Sequence, residues 1–349
     1  MTIENRKIDH IRIINEENVS HDHNYWNDIE IMQTSMPEID FDEIDTSVEL
    51  LGQKLRLPLV ISSMTGGHPE TKKINENLSR AAAEKGIGMG VGSERAAIAN
   101  RDLGDTYSVI ADYDVPLRIA NIGAPQLIKQ EKLALTDSEI EYAVELVKAH
   151  ALAVHFNFVQ EMSQPEGDRN SKGIFERLSS VSKKYKVIAK ETGAGFSRKD
   201  AMNFLTAGVS AIDTGGRSGT SFSAVEYYRS VEKGNLEKEE VAKSLWNWGI
   251  PSPFSVIECN VGMPIIASGG VRNGLDVFKG LMLGATASGA ASIFLKAALK
   301  SHNEVMKTID TIETELKSAM FLTSSPRIID IRKTKRVFIG RLNSWMSQA

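Results

Sequence analysis

The chain of 349 residues carries 41 Lys and Arg against 45 Asp and Glu, a net charge of −4, with 42% hydrophobic and 25% charged residues. That is the composition of a globular protein with one large or two small domains, and it lacks the basic excess of a general nucleic-acid binder. The single cysteine, Cys259, excludes an internal disulfide and suits a reducing cytoplasm; no apolar N-terminal segment marks a signal peptide and no apolar run reaches bilayer length.

Residues 1–50 read as a polar N-terminal arm. Arg6, Lys7, His10 and Arg12 lie close together ahead of a stretch rich in Asn, Asp and Glu. Taken alone, these residues point to a solvated terminus. His21 and His23, with His10, favour surface positions over a metal site because their neighbours are polar. From Pro58 the pattern changes. Leu59–Ser63 is a short apolar strand ended by Met64-Thr65-Gly66-Gly67, and a helix over Glu70–Lys85 stops at Gly86. Strands follow at Ile87–Val91, Leu117–Ile122, Leu152–Phe158, Val187–Lys190 and Ala211–Asp213, with helices over Asp137–Ala149 and Arg198–Ala207. Gly215–Pro253 is an insertion rich in Ser, Thr and aromatic residues, a length that suits a lid or binding loop. Pro264–Ala267 and Ala285–Ala290 bring the strands to eight.

Eight short apolar strands alternating with helices predict a (β/α)8 barrel over residues 51–349, carrying the N-terminal arm and the loop inserted after strand six. The competing open sheet would place a GxGxxG fingerprint after its first strand, and Met64–Gly67 does not supply it.

Catalytic residues of such a barrel lie at the C-terminal ends of its strands. That rule selects Ser62, Ser63, Met64, Thr65, Ser93, Arg95, Asn121, His155, Asn157, Gln160, Glu161, Lys190, Asp213, Ser218, Thr220 and Arg272. After the last two strands, Ser268-Gly269-Gly270 and Ala290-Ala291 precede helices, and Asn273 is placed to cap one of them. Uncovered N–H groups and helix dipoles make this an anion pocket. Lys190 reads either as a cation held in the barrel mouth or as a lysine snorkelling out. His155 and Asn157 share a strand face, which suits a site or a buried structural pair. Glu161, in a polar loop Gln160–Arg169, suits Mg²⁺ beside a phosphate or an ordinary surface position. No Ser-His-Asp order and no cysteine or His-x-His cluster marks other chemistry.

Taken jointly, several motifs carry a family resemblance. They are Glu-Asn-Arg-Lys-Ile-Asp-His at 4–10, Met64-Thr65-Gly66-Gly67, Gly92-Ser93-Glu94-Arg95, His155-Phe156-Asn157 with Gln160-Glu161, Pro165-Glu166-Gly167-Asp168, Lys190-Glu191 and Ser268-Gly269-Gly270-Val271-Arg272. In this order, across almost the whole chain, they resemble the type 2 isopentenyl-diphosphate isomerases. The resemblance implies an FMN-dependent barrel that interconverts isopentenyl and dimethylallyl diphosphate, with NADPH as reductant and Mg²⁺ on the diphosphate. It places FMN phosphate on Gly269, Gly270, Arg272, Ala290 and Ala291 near Thr220. It places the flavin ring on Ser62, Ser63, Met64, Thr65, Ser93, Asn121 and Lys190. Arg6, Lys7, His10, Ser93, Arg95, Asn157 and Gln160 are implied to bind substrate, and Glu161 to ligate Mg²⁺. Gln160, His155 and Glu226 become candidates for proton traffic. The arm thereby turns from a tail into a diphosphate clamp.

The implied protein is a cytoplasmic homotetramer or larger assembly with a small-molecule diphosphate substrate and no nucleic-acid or membrane partner. Two other readings stay open. One is an FMN-dependent 2-hydroxy-acid oxidase, although an obvious His–Arg pair for a carboxylate substrate is lacking. The other is a non-catalytic barrel that binds a phospho-ligand.

Overall fold

A computed structural model of the chain describes residues 3–348, with side chains from Arg6 onward. Met1 and Thr2 of the arm, the side chains of Glu4 and Asn5 in its motif, and Ala349 lie outside the described residues. Strands β1 (Ile29–Ile31), β2 (Val48–Leu50) and β3 (Gln53–Leu55) precede the barrel. Eight parallel strands then close on themselves in chain order: β4 (Leu59–Ile61), β5 (Gly88–Gly90), β6 (Leu117–Gly123), β7 (Ala151–Phe156), β8 (Val187–Glu191), β9 (Ala211–Asp213), β10 (Ile265–Ala267) and β11 (Ala287–Ala290). Pairing of β11 with β4 seals the ring, and β12 (Arg336–Phe338) follows it.

These strands are continuous apolar runs because both their faces are covered. Inside the ring, Val60, Leu117, Ile119, Ile188 and Ile266 form one cluster with Leu50 and Leu55. The β2–β3 hairpin therefore plugs the N-terminal end of the barrel. Outside, helices cover the ring. The helix Pro69–Lys85 ends at Gly86, whose φ of 64° is left-handed, and Asn273 caps Gly274–Met282 through the N–H of Asp276.

Three sequence expectations change. First, the arm is not a solvated tail. Residues 3–16 form the helix Ile3–Glu16. Beyond it, Tyr25, Trp26 and Ile29 are buried in the main core, and β1 pairs antiparallel with β12. Trp26 Nε1 donates to Gly269 O at 2.8 Å and Asn24 Nδ2 to Gly270 O at 2.8 Å. Gly269 and Gly270 hold φ of 90° and 79°, a conformation that favours glycine, and the arm supplies partners for the carbonyls this turn exposes. His21 and His10 are likewise not surface groups: His21 is buried against Gly193 O and His10 meets Glu226. Second, the insertion is not an irregular loop. It holds the helices Phe222–Glu232 and Leu236–Leu245, capped by Ser221 and Asn235 and joined through Gly234 at φ 65°. Third, the fourth strand ends at Phe156. Asn157 leaves the extended backbone, and Gln160 and Glu161 ride on the short helix Phe158–Ser163 rather than in a loop.

Trp26→Ala removes a fully buried side chain and its bond to the Gly269 turn. It is expected to destabilise the protein by about 3–5 kcal/mol, read as a lower denaturation midpoint. An unchanged midpoint would mean that the arm does not dock as described.

Candidate active site

A cavity of about 240 Å³ occupies the C-terminal mouth of the barrel. A water molecule takes roughly 30 Å³, so this space suits an organic ligand rather than a lone ion. The strand ends bring Ser62, Ser63, Met64, Thr65, Ser93, Arg95, Asn121, His155, Asn157, Gln160, Glu161 and Lys190 to its wall, with Thr220, Gly269, Gly270, Ala290 and Ala291. The N-terminal helix adds Arg6, Lys7 and His10, together with Ile11 and Ile14.

Four predicted residues stand apart from that wall. Glu226 is wholly buried and sits behind Gln160 and His10, both within 3.0 Å of its Oε1. Arg272 turns outward: its guanidinium bonds Asp276 and Asn27, so the side chain is committed to the surface of the turn. Asp213 and Ser218 serve from behind as well. Asp213 receives Lys190, while Ser218 Oγ accepts the N–H groups of Tyr25 and Ser252. Sequence reasoning missed Gln164, Glu191 and Phe222 as wall residues. Gln164 and Phe222 follow from helical geometry that was read as loop. Glu191 could have been found as the neighbour of Lys190.

The buried end of the site is set by β8 and β9. Their register places Lys190 beside Asp213, and Lys190 Nζ donates to Asp213 Oδ2 at 2.8 Å. Ser268 donates to the other oxygen of Asp213. The lysine is thus held in the mouth rather than snorkelling to water. Glu191, next to it, is pushed up to about 7 by burial, against which the N–H groups of Gly193, Ala194 and Gly195 pull it down.

His155 has a defined tautomer. Asn121 Nδ2 donates to Val91 O at 3.1 Å, which turns Asn121 Oδ1 toward His155 Nδ1 at 2.9 Å. Nδ1 therefore carries the proton and Nε2 keeps its lone pair. Burial, reinforced by the charges of Lys7 and Lys190, lowers His155 to about 3, so the ring is neutral at physiological pH. Glu94 braces the same unit by accepting Asn121 N–H at 2.7 Å, and its burial pushes the carboxyl well above the usual range.

At the rim, Arg95 donates to Asp168 Oδ2 at 2.9 Å and Lys7 donates to Ser93 O at 3.1 Å. Glu161 accepts Asn157 Nδ2 at 2.8 Å on one oxygen and the Asp168 N–H at 2.8 Å on the other, which also receives Gln164. Burial raises its pKa. Asn157 Oδ1 beside it is buried and finds no hydrogen-bond donor among the described residues. A carboxylate next to an unsatisfied amide oxygen is a donor set that fits a hard divalent cation.

A closed (β/α)8 ring, glycine turns after its last two strands, and one mouth combining cations with neutral polar groups define a phospho-ligand-binding barrel enzyme. The chain matches the FMN-dependent dehydrogenase family over residues 4–105 and 250–337. It is 53% identical over 341 residues to the isopentenyl-diphosphate delta-isomerase of Thermoplasma acidophilum, covering 98% of each chain. It is 51% identical over 344 residues to that of Picrophilus torridus and 44% identical over 353 residues to that of Archaeoglobus fulgidus, each over 99% of both chains. A putative lactate oxidase of Pediococcus acidilactici superposes with a TM-score of 0.61 at 15% identity, covering 90% of this chain and 84% of the other, a likeness of fold. The chain belongs to the type 2, FMN-dependent isopentenyl-diphosphate delta-isomerases, and it is an isomerase. The readings as a 2-hydroxy-acid oxidase and as a non-catalytic barrel are thereby set aside. No helix among the described residues is long and apolar enough to cross a membrane.

Lys7 carries a measurable consequence. Burial, with the charge of Arg6, lowers it to about 7 against the pull of Glu94. Above that pH the amine is mainly neutral, and a bound polyanion favours its protonated form. Inorganic pyrophosphate is therefore expected to bind with uptake of up to roughly one proton at pH 8 and markedly less from this group at pH 6. Calorimetry in buffers of different ionisation enthalpy measures this uptake, and Lys7→Met should remove most of it at pH 8. Uptake that survives in Lys7→Met assigns the proton elsewhere.

Proposed function

We propose that this chain interconverts isopentenyl and dimethylallyl diphosphate, with the diphosphate under the N-terminal helix and the prenyl chain deeper in the barrel. The observation that carries this reading is the order of side chains along that helix. Arg6, Lys7 and His10 lead, and Ile11 and Ile14 follow, all lining one cavity. Lys7 and Ile14 are two turns apart, about 10 Å along the axis. One helical face thus offers a guanidinium with two groups that a polyanion can draw into their protonated forms, and then aliphatic surface, the complement of an anionic head on a short branched hydrocarbon. Arg95, opposite, adds a planar fork for a phosphate. A hydrogen bond to a charged group contributes about 1.5–3 kcal/mol, roughly ten- to hundredfold in affinity.

FMN is the proposed cofactor, with NADPH as the reductant and Mg²⁺ as the partner of the diphosphate. The turn Ser268–Gly270, Thr220, Ala290 and Ala291 would hold the phosphate of FMN. Ser62 Oγ, buried with no partner, fits a polar ring edge, alongside Met64, Thr65, Ser93, Asn121 and Lys190. Arg272, bonded away from the cavity, would contribute its charge near the turn more than a direct contact. Glu161, with the Asn157 oxygen beside it, would carry Mg²⁺. When bound and reduced, FMN supplies acid and base for the allylic carbons.

The protein's own residues supply the rest. The reaction adds a proton at the terminal methylene carbon and removes one from the carbon beside the CH2–O group, with no net redox change. An alkene is a weak base, so its protonation needs a positioned acid and exclusion of water. Met64, Ile11, Ile14, Phe222 and Leu295 give the cavity its apolar wall. Neutral His155 accepts through Nε2 without adding charge beside an electron-deficient carbon. Gln160, backed by Glu226, orients polar traffic at the opposite side, and Lys190, clamped by Asp213, places a fixed cation where electron-rich ring atoms would lie. A homotetramer or larger assembly is the proposed state.

Incubation of isopentenyl diphosphate with the enzyme, FMN, NADPH and Mg²⁺ is expected to yield dimethylallyl diphosphate, with no product while the flavin stays oxidised. Glu161→Gln is expected to keep FMN and to lose at least about tenfold in activity, partly recovered at high Mg²⁺. Equal turnover with oxidised flavin, or full activity of Glu161→Gln under chelation, would overturn the corresponding assignment.

A further inference from the structure

The roof of the cavity converges on one buried guanidinium. Arg229, on the helix Phe222–Glu232, is 1% exposed. It pairs with Glu226 one turn earlier, donates to Glu166 at 3.0 Å and faces Asp9 at 3.9 Å. Asp9 belongs to the N-terminal helix and Glu166 to the segment after β7. Glu226 has no exposure, and its Oε1 sits 3.0 Å from both Gln160 Nε2 and His10 Nε2.

This arrangement decides which way an amide points. A carboxylate only accepts hydrogen bonds, so Gln160 must present its NH2 to Glu226. Its oxygen then turns to Asn157 Nδ2, 3.2 Å away, and Asn157 Nδ2 in turn donates to Glu161 Oε1 at 2.8 Å. A protonated Glu226 could donate instead, and Gln160 would be free to flip, putting its NH2 where its oxygen now lies.

We propose that Arg229 is a positioning residue for the isomerisation: it keeps Glu226 an obligate acceptor and thereby fixes the orientation of Gln160 and His10 at the cavity wall. The proposal rests on the reading that Gln160 and Glu226 act in the isomerisation.

The charges around the pair support this division of labour. The groups facing Glu226 are His10 and Arg6 from the N-terminal helix, Gln160 from the helix Phe158–Ser163, and Arg229 from its own helix. Among the described residues, those facing Arg229 include Glu226, Glu166 and Asp9. Burial pushes Glu226 upward, yet the hydrogen bond and charge of His10, the charge of Arg229 and the bond from Gln160 bring it down to about 2. Burial also lowers His10 below its ordinary value, against the hydrogen bond and charge of Glu226. Arg229 is the permanently charged guanidinium paired directly with Glu226.

The test compares Arg229→Met, Arg229→Lys, Glu226→Gln and the double variant Arg229→Met/Glu226→Gln, all loaded with FMN and checked by flavin absorbance. In Arg229→Met, kcat is expected to fall at least about tenfold with KM within about threefold, and the acid limb of its pH profile to rise by about one unit or more. Infrared titration with ¹³C-labelled glutamate should show a protonated carboxyl appearing at a pH at least about one unit higher in this variant than in the wild type, and the double variant should lack that band. Arg229→Lys, which keeps the charge, should return the acid limb to within about half a unit of wild type. The double variant should be no slower than Glu226→Gln alone, within about twofold, because Arg229 acts through Glu226.

Multiplying losses in the double variant, or an unmoved acid limb without the shift of the carboxyl band in Arg229→Met, overturns the proposal and leaves Arg229 as a fastener of the roof. Should Arg229→Met not fold, Arg229→Lys decides. A limb in place with partial activity supports the proposal, and loss at every pH with Glu226 still ionised overturns it. A wild-type enzyme that makes no dimethylallyl diphosphate instead sinks the functional reading, while the infrared comparison still tests whether Arg229 holds Glu226 ionised.

Discussion

The active-site mouth depends on one buried carboxylate. Glu226 collects donors from three separate stretches of chain: His10 from the N-terminal helix, Gln160 from the turn after β7, and Arg229 from the inserted helix. None of these stretches belongs to the barrel ring itself. An uncompensated charge at zero exposure would cost several kcal/mol, so the four groups are stable only when assembled together. That mutual requirement turns three connecting segments into a roof, and the roof gives the barrel mouth an inside.

Beneath it, polarity is graded. Arg6, Lys7 and Arg95 stand half-buried at the rim. Lys190 lies deep and is matched one-for-one by Asp213, whose other oxygen is taken by Ser268. Between rim and floor the groups are neutral: His155 is held uncharged by burial, and Asn121 and Asn157 are amides. An intermediate carrying positive charge on carbon fits such a middle layer better than a strongly cationic one. In the proposed binding mode this separation would keep the anionic head at the rim and the reacting carbons in the neutral layer.

The ring supplies rigidity. Short strands buried on both faces, plugged below by the β2–β3 hairpin, leave the C-terminal mouth as the site-bearing end. The arm then returns to the far side of the same mouth. Through Asn24 and Trp26 it satisfies the carbonyls of the Gly269–Gly270 turn, so the phosphate-type turn and the substrate-type helix are braced by one segment. The two ends of the cavity are thereby joined through residues 17–31.

The alternation of apolar runs with helical stretches was legible in the chain, and with it the eight-stranded ring, because strand burial and helix capping are local demands on sequence. The polar residues that end each strand were legible for the same reason: barrel geometry sends them all to one mouth, and most of them line it. Three matters were settled only by tertiary structure. The arm looked polar because its apolar residues, Tyr25, Trp26 and Ile29 among them, are scattered between Asn, Asp and Glu, and burial against a distant turn leaves no local trace. Arg272 sat at a strand end like the others, yet Asp276 one turn onward and Asn27 from the arm draw it outward. Glu226 and Arg229 lie in a stretch read as loop, and their weight comes from partners more than 60 residues away, among them Gln160 and Glu166. Local spacing can announce that a residue ends a strand or caps a helix; which charges meet in the dark of the interior depends on how remote segments fold back, and that only the assembled chain decides.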